Sequence, residues 1–132
     1  MPALISKFCT AKQEGAKQVV IWGSGKPYRE FLHVDDCASA CVFLMQHYND
    51  VSTVNVGSGC DIPIADLAHL IKKIVDYKGE LVFDLSKPDG TPRKLLDVSK
   101  LHKLGWRAST ELEDGITQVV RSYVQDNKNI KK

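Results

Sequence analysis

Short β-type runs alternate with amphipathic helical stretches along this 132-residue chain, and this alternation limits its possible folds more than any other feature. The clearest β-type runs are 19–22 and 80–84. The strongest helical pattern lies between them and places these apolar residues on one face: Ile64, Leu67, Ala68, Ile71, Ile74 and Val75. Because 43% hydrophobic content over this length supports one buried core, we predict a single α/β unit with α+β character.

The first third of the chain contains three further predicted elements. A helix over 3–14 ends at Gly15, and the runs 19–22 and 29–32 form two short strands around a turn at 23–27. A second helix begins at Val34, and its acidic first turn suits the positive end of the helix dipole. We expect this helix to cover a sheet with one apolar face, made of Val34, Ala38, Cys41, Val42 and Met45.

The remaining elements are shorter. Residues 53–56 are predicted to form a short buried strand, and 85–92 a loop rich in Pro, Gly and Asp. Asp97 can cap a short helix that ends at Leu104, and a capping box over 110–113 opens the last helix. That helix buries Leu112, Ile116, Val119, Val120 and Tyr123, and residues 128–132 are expected to form a frayed tail.

Charge and cysteine usage exclude several classes of protein. A net charge of +2, from 18 basic and 16 acidic residues, is too balanced for a nucleic-acid or membrane surface, so an anion must be bound by a few placed cations. The four cysteines form no CxxC pair, which favours buried thiols: Cys9, Cys37, Cys41 and Cys60. No apolar run approaches the roughly 18 residues of a membrane span, and the first residues do not resemble a signal peptide. We therefore predict a cytoplasmic protein.

The motifs expected of a dehydrogenase active site are missing from the sequence. No glycine-rich GxGxxG turn follows an early strand, and no Tyr is followed by Lys four positions later. The four histidines are scattered singly, so we predict no metal site, and we expect His33 to orient a strand and a helix. Met1 directly before Pro2 leaves little room for an N-terminal element, which suggests that the natural start lies upstream. We therefore predict no catalytic, cofactor-binding or metal-binding residue in this chain.

Four motifs nevertheless resemble a known family. Residues 29–36 (REFLHVDD) and 55–59 (NVGSG) resemble motifs of the extended short-chain dehydrogenases that modify nucleotide sugars. Two narrower motifs, 22–29 (WGSGKPYR) and 86–97 (SKPDGTPRKLLD), are similar to those of the GDP-L-fucose synthase family. The similarity extends from Pro2 to about Asn127.

The resemblance implies an NADPH-dependent 3,5-epimerase and 4-reductase that converts GDP-4-keto-6-deoxy-D-mannose to GDP-L-fucose. Residues 1–127 would be the C-terminal, GDP-sugar-binding part, and a Rossmann-type N-terminal domain, missing here, would bind NADP. The family's catalytic Ser, Tyr, Lys, Cys and His would lie upstream, so this chain would be inactive alone. The full-length enzyme would be a homodimer.

The resemblance also assigns substrate contacts to Lys7, Ile21, Trp22, Arg29, Asp89 and Lys94. The cations would bind the diphosphate, although Lys7 replaces the family's usual Arg and lacks its bidentate fork. Trp22 would stack on guanine, and Asp89 would accept hydrogen bonds from the sugar or base. The alternatives are solvated surface charges, a core or hairpin aromatic for Trp22 and a simple turn former for Asp89. Two other functions stay open: a standalone nucleotide-diphosphate-sugar binding module, or part of another such epimerase or dehydratase.

Overall fold

The computed structural model describes residues 1–130, and the side chains of 1–126. Five helices and five strands follow one another in this order: α1 Pro2–Glu14, β1 Gln18–Trp22, β2 Tyr28–Glu30, α2 Val34–His47, β3 Asp61–Pro63, α3 Ile64–Val75, β4 Glu80–Asp84, β5 Arg93–Lys94, α4 Ser99–Leu104 and α5 Leu112–Ile130. The mixed α/β character predicted from the sequence is confirmed. The frayed tail predicted over 128–132 stays a prediction, because it includes residues outside those described.

The strands form two small sheets. β1 pairs with β4 in parallel, from Gln18 opposite Glu80 to Trp22 opposite Asp84. In the second sheet β2 is central, antiparallel to β3 and parallel to β5. The two short strands predicted around the turn at 23–27 are present as β1 and β2, but they belong to different sheets and do not pair with each other. β1 finds its partner beyond α3 instead, where a five-residue parallel ladder can form.

The main core lies where α1, α3 and α5 pack together against β1. Its fully buried large side chains include Phe8 and Ile5 of α1, Leu67 and Ile71 of α3, and Ile116 of α5. This confirms the apolar faces predicted for α3 and α5. The helix predicted to end at Gly15 does so, with that residue in the left-handed conformation at φ 64°.

The predicted orientation of α2 is wrong. Val34, Val42 and Met45 are 69%, 54% and 84% exposed, whereas Asp36 and Ala40 are buried. Ala40 instead packs in a second, smaller core with Leu101 and Trp106. The periodicity of the sequence identified an apolar stripe correctly, but no sheet lies against that stripe in the part of the chain that the structure describes.

The predictions of four buried thiols and of a strand over 53–56 fail, because the packing partners that they require are not found among the described residues. Cys37, Cys41 and Cys60 are exposed, and of the four thiols only that of Cys9 is buried as predicted. Burial raises the pKa of the Cys9 thiol, and the nearby charge of Lys12 partly opposes this. Residues 53–56 form no strand, because no described strand lies beside them to supply hydrogen-bond partners.

The beginnings of the helices agree with the sequence in part. Asp97 accepts a hydrogen bond from the Ser99 amide at 2.9 Å, but it lies one residue before the N-cap of α4, which is Val98, so the predicted cap is displaced by one position. His33 caps α2, since its Nδ1 accepts from the Asp35 amide at 3.3 Å. In the predicted capping box, however, the Glu113 carboxylate pairs with Lys73 at 2.8 Å rather than with the start of α5. No helix among residues 1–130 is long and apolar enough to cross a membrane.

Candidate functional site

Two of the six predicted substrate contacts, Trp22 and Asp89, lie at or just after the ends of the parallel strands β1 and β4. Trp22 is the last residue of β1, and its register partner Asp84 is the last of β4. Two loops leave this edge, 23–27 after β1 and 85–92 after β4. The carboxyl ends of parallel strands are a common place for ligands, because the loops that follow them diverge and leave a crevice.

Asp89 and Ser24 join these two loops. Asp89 Oδ1 accepts a hydrogen bond from the Ser24 amide at 2.8 Å, and Oδ2 accepts one from the Ser24 hydroxyl at 2.5 Å. These bonds, the hydroxyl first and the amide second, hold the pKa of the Asp89 carboxyl below its usual value. Gly23 makes the approach possible, because it has φ 83° and any Cβ there would collide with the Asp89 carboxylate. Asp89 is thus a link between loops rather than a simple turn former.

Arg29 and Lys94 lie side by side in the second sheet. They are register partners on the adjacent strands β2 and β5, so their side chains project from the same face. Arg29 Nη1 donates to the carbonyl oxygens of Tyr28 at 2.6 Å and Thr91 at 2.7 Å. The second bond ties Arg29 to the 85–92 loop, which carries Asp89.

Lys94 differs from Arg29 in that its charge is not engaged. The side chain is exposed, and no ion pair or hydrogen bond of its ammonium group is found within residues 1–126. The second sheet therefore presents one cation oriented by the backbone and one that is free to meet an anion. Two converging cations of this kind suit a diphosphate.

Trp22 is an exposed aromatic side chain at the end of β1. It is 71% exposed, which excludes the alternative of a core aromatic. The Lys87 ammonium nitrogen lies 5.6 Å from the centroid of its ring, so the 85–92 loop also reaches Trp22. The ring is available for stacking on a base.

The other two predicted contacts lie deeper or further along β1. Ile21 is 3% exposed and belongs to the main core, so its side chain cannot reach a ligand from this edge. Lys7, on α1, donates from Nζ to the Val20 carbonyl oxygen at 2.8 Å. The structure thus links Trp22, Arg29, Asp89 and Lys94 through one loop and its neighbouring strand, and leaves Lys7 beside the middle of β1.

Sequence reasoning missed Ser24, Thr91 and Lys87 as parts of this edge. Ser24 stands between two glycines, Gly23 and Gly25, and was interpreted only as part of a turn. A hydroxyl residue inside a glycine turn that lies between two predicted ligands was the available signal. Thr91 contributes only its backbone carbonyl, which no side-chain pattern can reveal.

The described residues do not fit a nicotinamide dinucleotide. Such a site needs a strand followed by a glycine-rich turn and then a helix whose first amides meet the phosphates. Here the glycine turn after β1 leads to another strand, and a Cβ at Gly25 would meet Phe83 and Ala65 rather than open space. Within the same residues, no group of three or more metal-binding side chains is found.

A separate groove of about 490 Å³ lies away from this edge. Its walls are mostly apolar and come from α1, α5, β3 and the segment between β2 and α2, including Ile5, Phe31, Ile62, Leu112 and Ile116. None of the six predicted substrate contacts lines it. The groove and the substrate edge are therefore distinct features of the surface.

Comparisons with known proteins agree with the motifs. The profile of the "NAD dependent epimerase/dehydratase family" matches residues 1–57. A putative GDP-L-fucose synthase 2 of Arabidopsis thaliana is 54% identical over 96% of this chain, which corresponds to 38% of that protein. The GDP-L-fucose synthase of Escherichia coli K12 is 47% identical over 96% of this chain and 42% of its own length. The chain spans about two fifths of these relatives.

Solved structures give the same result. A GDP-L-fucose synthetase from Naegleria fowleri bound to NADP matches with a TM-score of 0.90 at 29% identity, over 96% of this chain and 40% of that one. A GDP-mannoheptose C4 reductase from Campylobacter jejuni with NADP bound matches with a TM-score of 0.81 at 40% identity, over 93% of this chain and 44% of that one. Over almost its whole length the chain matches GDP-L-fucose synthases in sequence and in structure, and it spans about two fifths of each of them.

Proposed function

We propose that this chain is the GDP-sugar-binding part of an NADPH-dependent GDP-L-fucose synthase that converts GDP-4-keto-6-deoxy-D-mannose to GDP-L-fucose. One observation carries the proposal: the 85–92 loop contacts both Trp22 and Arg29 and leads directly into β5, which holds Lys94 beside Arg29. A stacking surface and two cations are thereby connected through one loop. Guanine and a diphosphate require these two kinds of contact.

The hydrogen bonds of Arg29 favour its role at the diphosphate. Nη1 is occupied by the two carbonyl oxygens of Tyr28 and Thr91. These bonds orient the planar guanidinium, while Nε and Nη2 make no hydrogen bond within residues 1–126. Two N–H edges of an oriented guanidinium can bind one phosphate in a bidentate way, and the neighbouring Lys94 adds a mobile point charge.

The hydrogen bonds of Asp89 favour a role other than a direct contact with the ligand. Both of its oxygens accept hydrogen bonds from Ser24, so a direct bond to the sugar or base requires sharing or breaking them. We infer that Asp89 acts mainly by closing the 85–92 loop over the edge. Lys7, bound to the Val20 carbonyl, can add a third charge if its ammonium turns from that oxygen toward the ligand.

The reaction itself requires residues outside this chain. We assign NADP binding, hydride transfer and epimerisation to an upstream Rossmann-type part, because no described strand, turn and helix here fit the dinucleotide. The exposed apolar stripe of α2, with Val34, Val42 and Met45, is suited to pack against such a part, as is the apolar groove beside Met1. Residues 1–127 would then be the substrate part of a cytoplasmic homodimer.

The proposal is tested by titrating the chain with GDP and with UDP while following the indole N–H signal of Trp22 by NMR. We expect weak binding of GDP and weaker binding of UDP. Lys94→Ala and Arg29→Lys should weaken GDP binding, whereas Lys73→Ala, which removes an exposed charge between α3 and α5, should not. A preference for UDP would instead favour another nucleotide-sugar epimerase or dehydratase.

Activity is tested separately. The chain alone should consume no NADPH with the keto-sugar substrate, whereas a protein that includes the upstream part should do so. Turnover by the isolated chain would contradict the assignment of catalysis to upstream residues. GDP binding by a native reading frame no longer than this chain would instead favour a standalone binding module.

A further inference from the structure

The ion pair between Asp61 and Arg93 connects the two outer strands of the second sheet. Arg93 Nε donates to Asp61 Oδ2 at 2.6 Å, and Nη2 donates to Oδ1 at 3.1 Å. The Asp61 side chain is only 7% exposed, although that of Arg93 is 61% exposed. The side-chain hydrogen bond and the charge of Asp61 raise the pKa of Arg93 above its usual value. The pair therefore has the fixed, two-bond geometry that a mobile surface pair lacks.

This pair crosses over β2 to reach β5. Asp61 is the first residue of β3 and Arg93 the first of β5, and both strands pair with β2 between them. Arg93 also lies over the ring of Tyr28, with its guanidinium carbon 5.6 Å from the ring centroid. By register, Arg93 and Tyr28 share one face of the sheet, and Lys94 and Arg29 share the opposite face.

β5 depends on such contacts because it is very short. It has two residues and only one neighbouring strand among those described, so its own ladder contributes little. A second carboxylate holds the segment just after it, since Glu30 Oε2 accepts from the Leu96 amide at 3.0 Å. Glu30 Oε1 accepts from the Gly59 amide at 2.7 Å, which anchors that carboxylate in turn.

The two residues of the basic pair, Arg93 and Lys94, thus have different roles. The charge of Arg93 is compensated by Asp61, whereas that of Lys94 has no counter-ion among the side chains of residues 1–126. We propose that Asp61 and Arg93 are positioning residues: their ion pair fixes β5 so that Lys94 lies beside Arg29 and can bind the diphosphate. This inference rests on the proposed function and assigns neither residue a contact with the ligand.

The direction in which Asp61→Asn changes the affinity for GDP separates this proposal from a direct role of Arg93. If Arg93 itself bound the diphosphate, Asp61→Asn would release its guanidinium and tighten GDP binding. If Arg93 acts through β5, the same substitution loosens the strand and weakens GDP binding. A carboxylate cannot itself attract a diphosphate, so a loss on removing its charge requires an indirect mechanism.

The test measures dissociation constants of GDP and guanosine for the chain by NMR titration. Asp61→Asn and Arg93→Lys should each weaken GDP binding by roughly three-fold or more, since each removes the two-bond geometry of the pair. The double variant should be little worse than either single variant, because both break the same contact. Guanosine binding should be unchanged, since it has no phosphate.

Glu113→Gln is the matched control, because it also replaces one carboxylate by an amide and breaks one ion pair, between α5 and Lys73. It should leave GDP binding unchanged. Unfolding midpoints of all variants separate general destabilisation from the specific effect. Tighter GDP binding by Asp61→Asn, or an equal loss of guanosine binding, would overturn the positioning role.

The same experiment distinguishes this inference from the proposed function. If the unsubstituted chain fails to bind GDP, or Lys94→Ala has no effect on it, the diphosphate assignment fails and the positioning role fails with it. If Lys94→Ala weakens GDP binding while Asp61→Asn and Arg93→Lys do not, the diphosphate assignment stands and only the positioning role fails.

Discussion

Ser24 and Asp89, which are 65 positions apart, join the loops at the ends of β1 and β4 through two hydrogen bonds of 2.8 and 2.5 Å. One is donated by the backbone and one by the side chain of Ser24. Their combined effect is to close the 85–92 loop against the turn that follows Trp22. Any ligand bound at this edge meets a surface whose shape depends on this contact.

If Asp89 acts by closing the loop, Ser24→Ala should cause part of the loss of GDP affinity that Asp89→Ala causes. The variant loses the hydroxyl bond and keeps the amide bond, so GDP binding should weaken by less than in Asp89→Ala, which loses both. Titration of both variants with GDP provides the measurement. Unchanged GDP affinity in Ser24→Ala together with a large loss in Asp89→Ala would indicate that Asp89 contacts the ligand directly.

Trp22→Ala should weaken GDP binding without changing the stability of the fold. The ring is 71% exposed, so its removal costs little core packing. Stacking of a base on an aromatic ring contributes about 1 to 3 kcal/mol, which corresponds to roughly five-fold or more in the dissociation constant. Trp22→Phe should retain part of this stacking free energy. Equal GDP affinity of Trp22→Ala and the unsubstituted chain would disprove the stacking role.

Lys7→Arg should tighten GDP binding or leave it unchanged. Arginine offers a phosphate two parallel N–H bonds, whereas the present ammonium group acts as a point charge. The Val20 carbonyl, 2.8 Å from Lys7 Nζ, can accept from either side chain, so the fold should tolerate the change. A marked loss of GDP affinity, measured by the same titration, would mean that Lys7 serves β1 rather than the ligand.

Asp36→Ala should destabilise the fold by more than a substitution at an exposed position of α2 would. The buried Asp36 carboxylate accepts hydrogen bonds from the Ser109 amide and hydroxyl and from the Thr110 amide, at 3.2, 2.9 and 2.9 Å. Leaving such donors unpaired costs about 1 to 3 kcal/mol in the free energy of unfolding. Urea denaturation checks this. Asp35→Ala, at an 85% exposed side chain next to it, should change that free energy by about 0.5 kcal/mol or less.

The pH dependence of this effect has a definite sign. Burial alone would raise the pKa of Asp36, but the hydrogen bonds from Thr110 and Ser109 outweigh it and lower the pKa below its usual value. The stabilisation is therefore complete above the unfolded-state pKa of about 3.9 and is lost as the pH falls through the lower folded-state value. The difference in stability between the unsubstituted chain and Asp36→Asn should narrow over that range. If the difference in stability between the two proteins did not change with pH, the lowered pKa of Asp36 would be contradicted.

The reactivity of the exposed thiols shows whether the apolar stripe of α2 is covered. In this chain Cys37, Cys41 and Cys60 should react rapidly with a thiol reagent, while the buried Cys9, whose pKa is raised, should react slowly. In a longer protein that includes the upstream part, Cys41 should become protected. Comparison with Cys41→Ser identifies its signal. Equal reactivity of Cys41 in both proteins would mean that the stripe of α2 stays uncovered.

The sequence alone was sufficient for features set by local pattern. The apolar face of α3 and the end of α1 at Gly15 follow from residue spacing and from the conformations that individual residue types favour. The similarity to GDP-L-fucose synthases also followed from short motifs, since those motifs occur together and in order along one chain. Each of these conclusions needs only residues that are near one another in the sequence.

The tertiary structure alone decided how distant segments meet. It paired β1 with β4 rather than with β2, placed Arg29 beside Lys94, and used Asp89 to hold Ser24. It also left the stripe of α2 exposed, although the sequence pattern identified that stripe as one to be covered. The physical reason is that periodicity shows which face of an element is apolar, whereas strand partners and carboxylate partners are selected by competition among contacts across the whole fold.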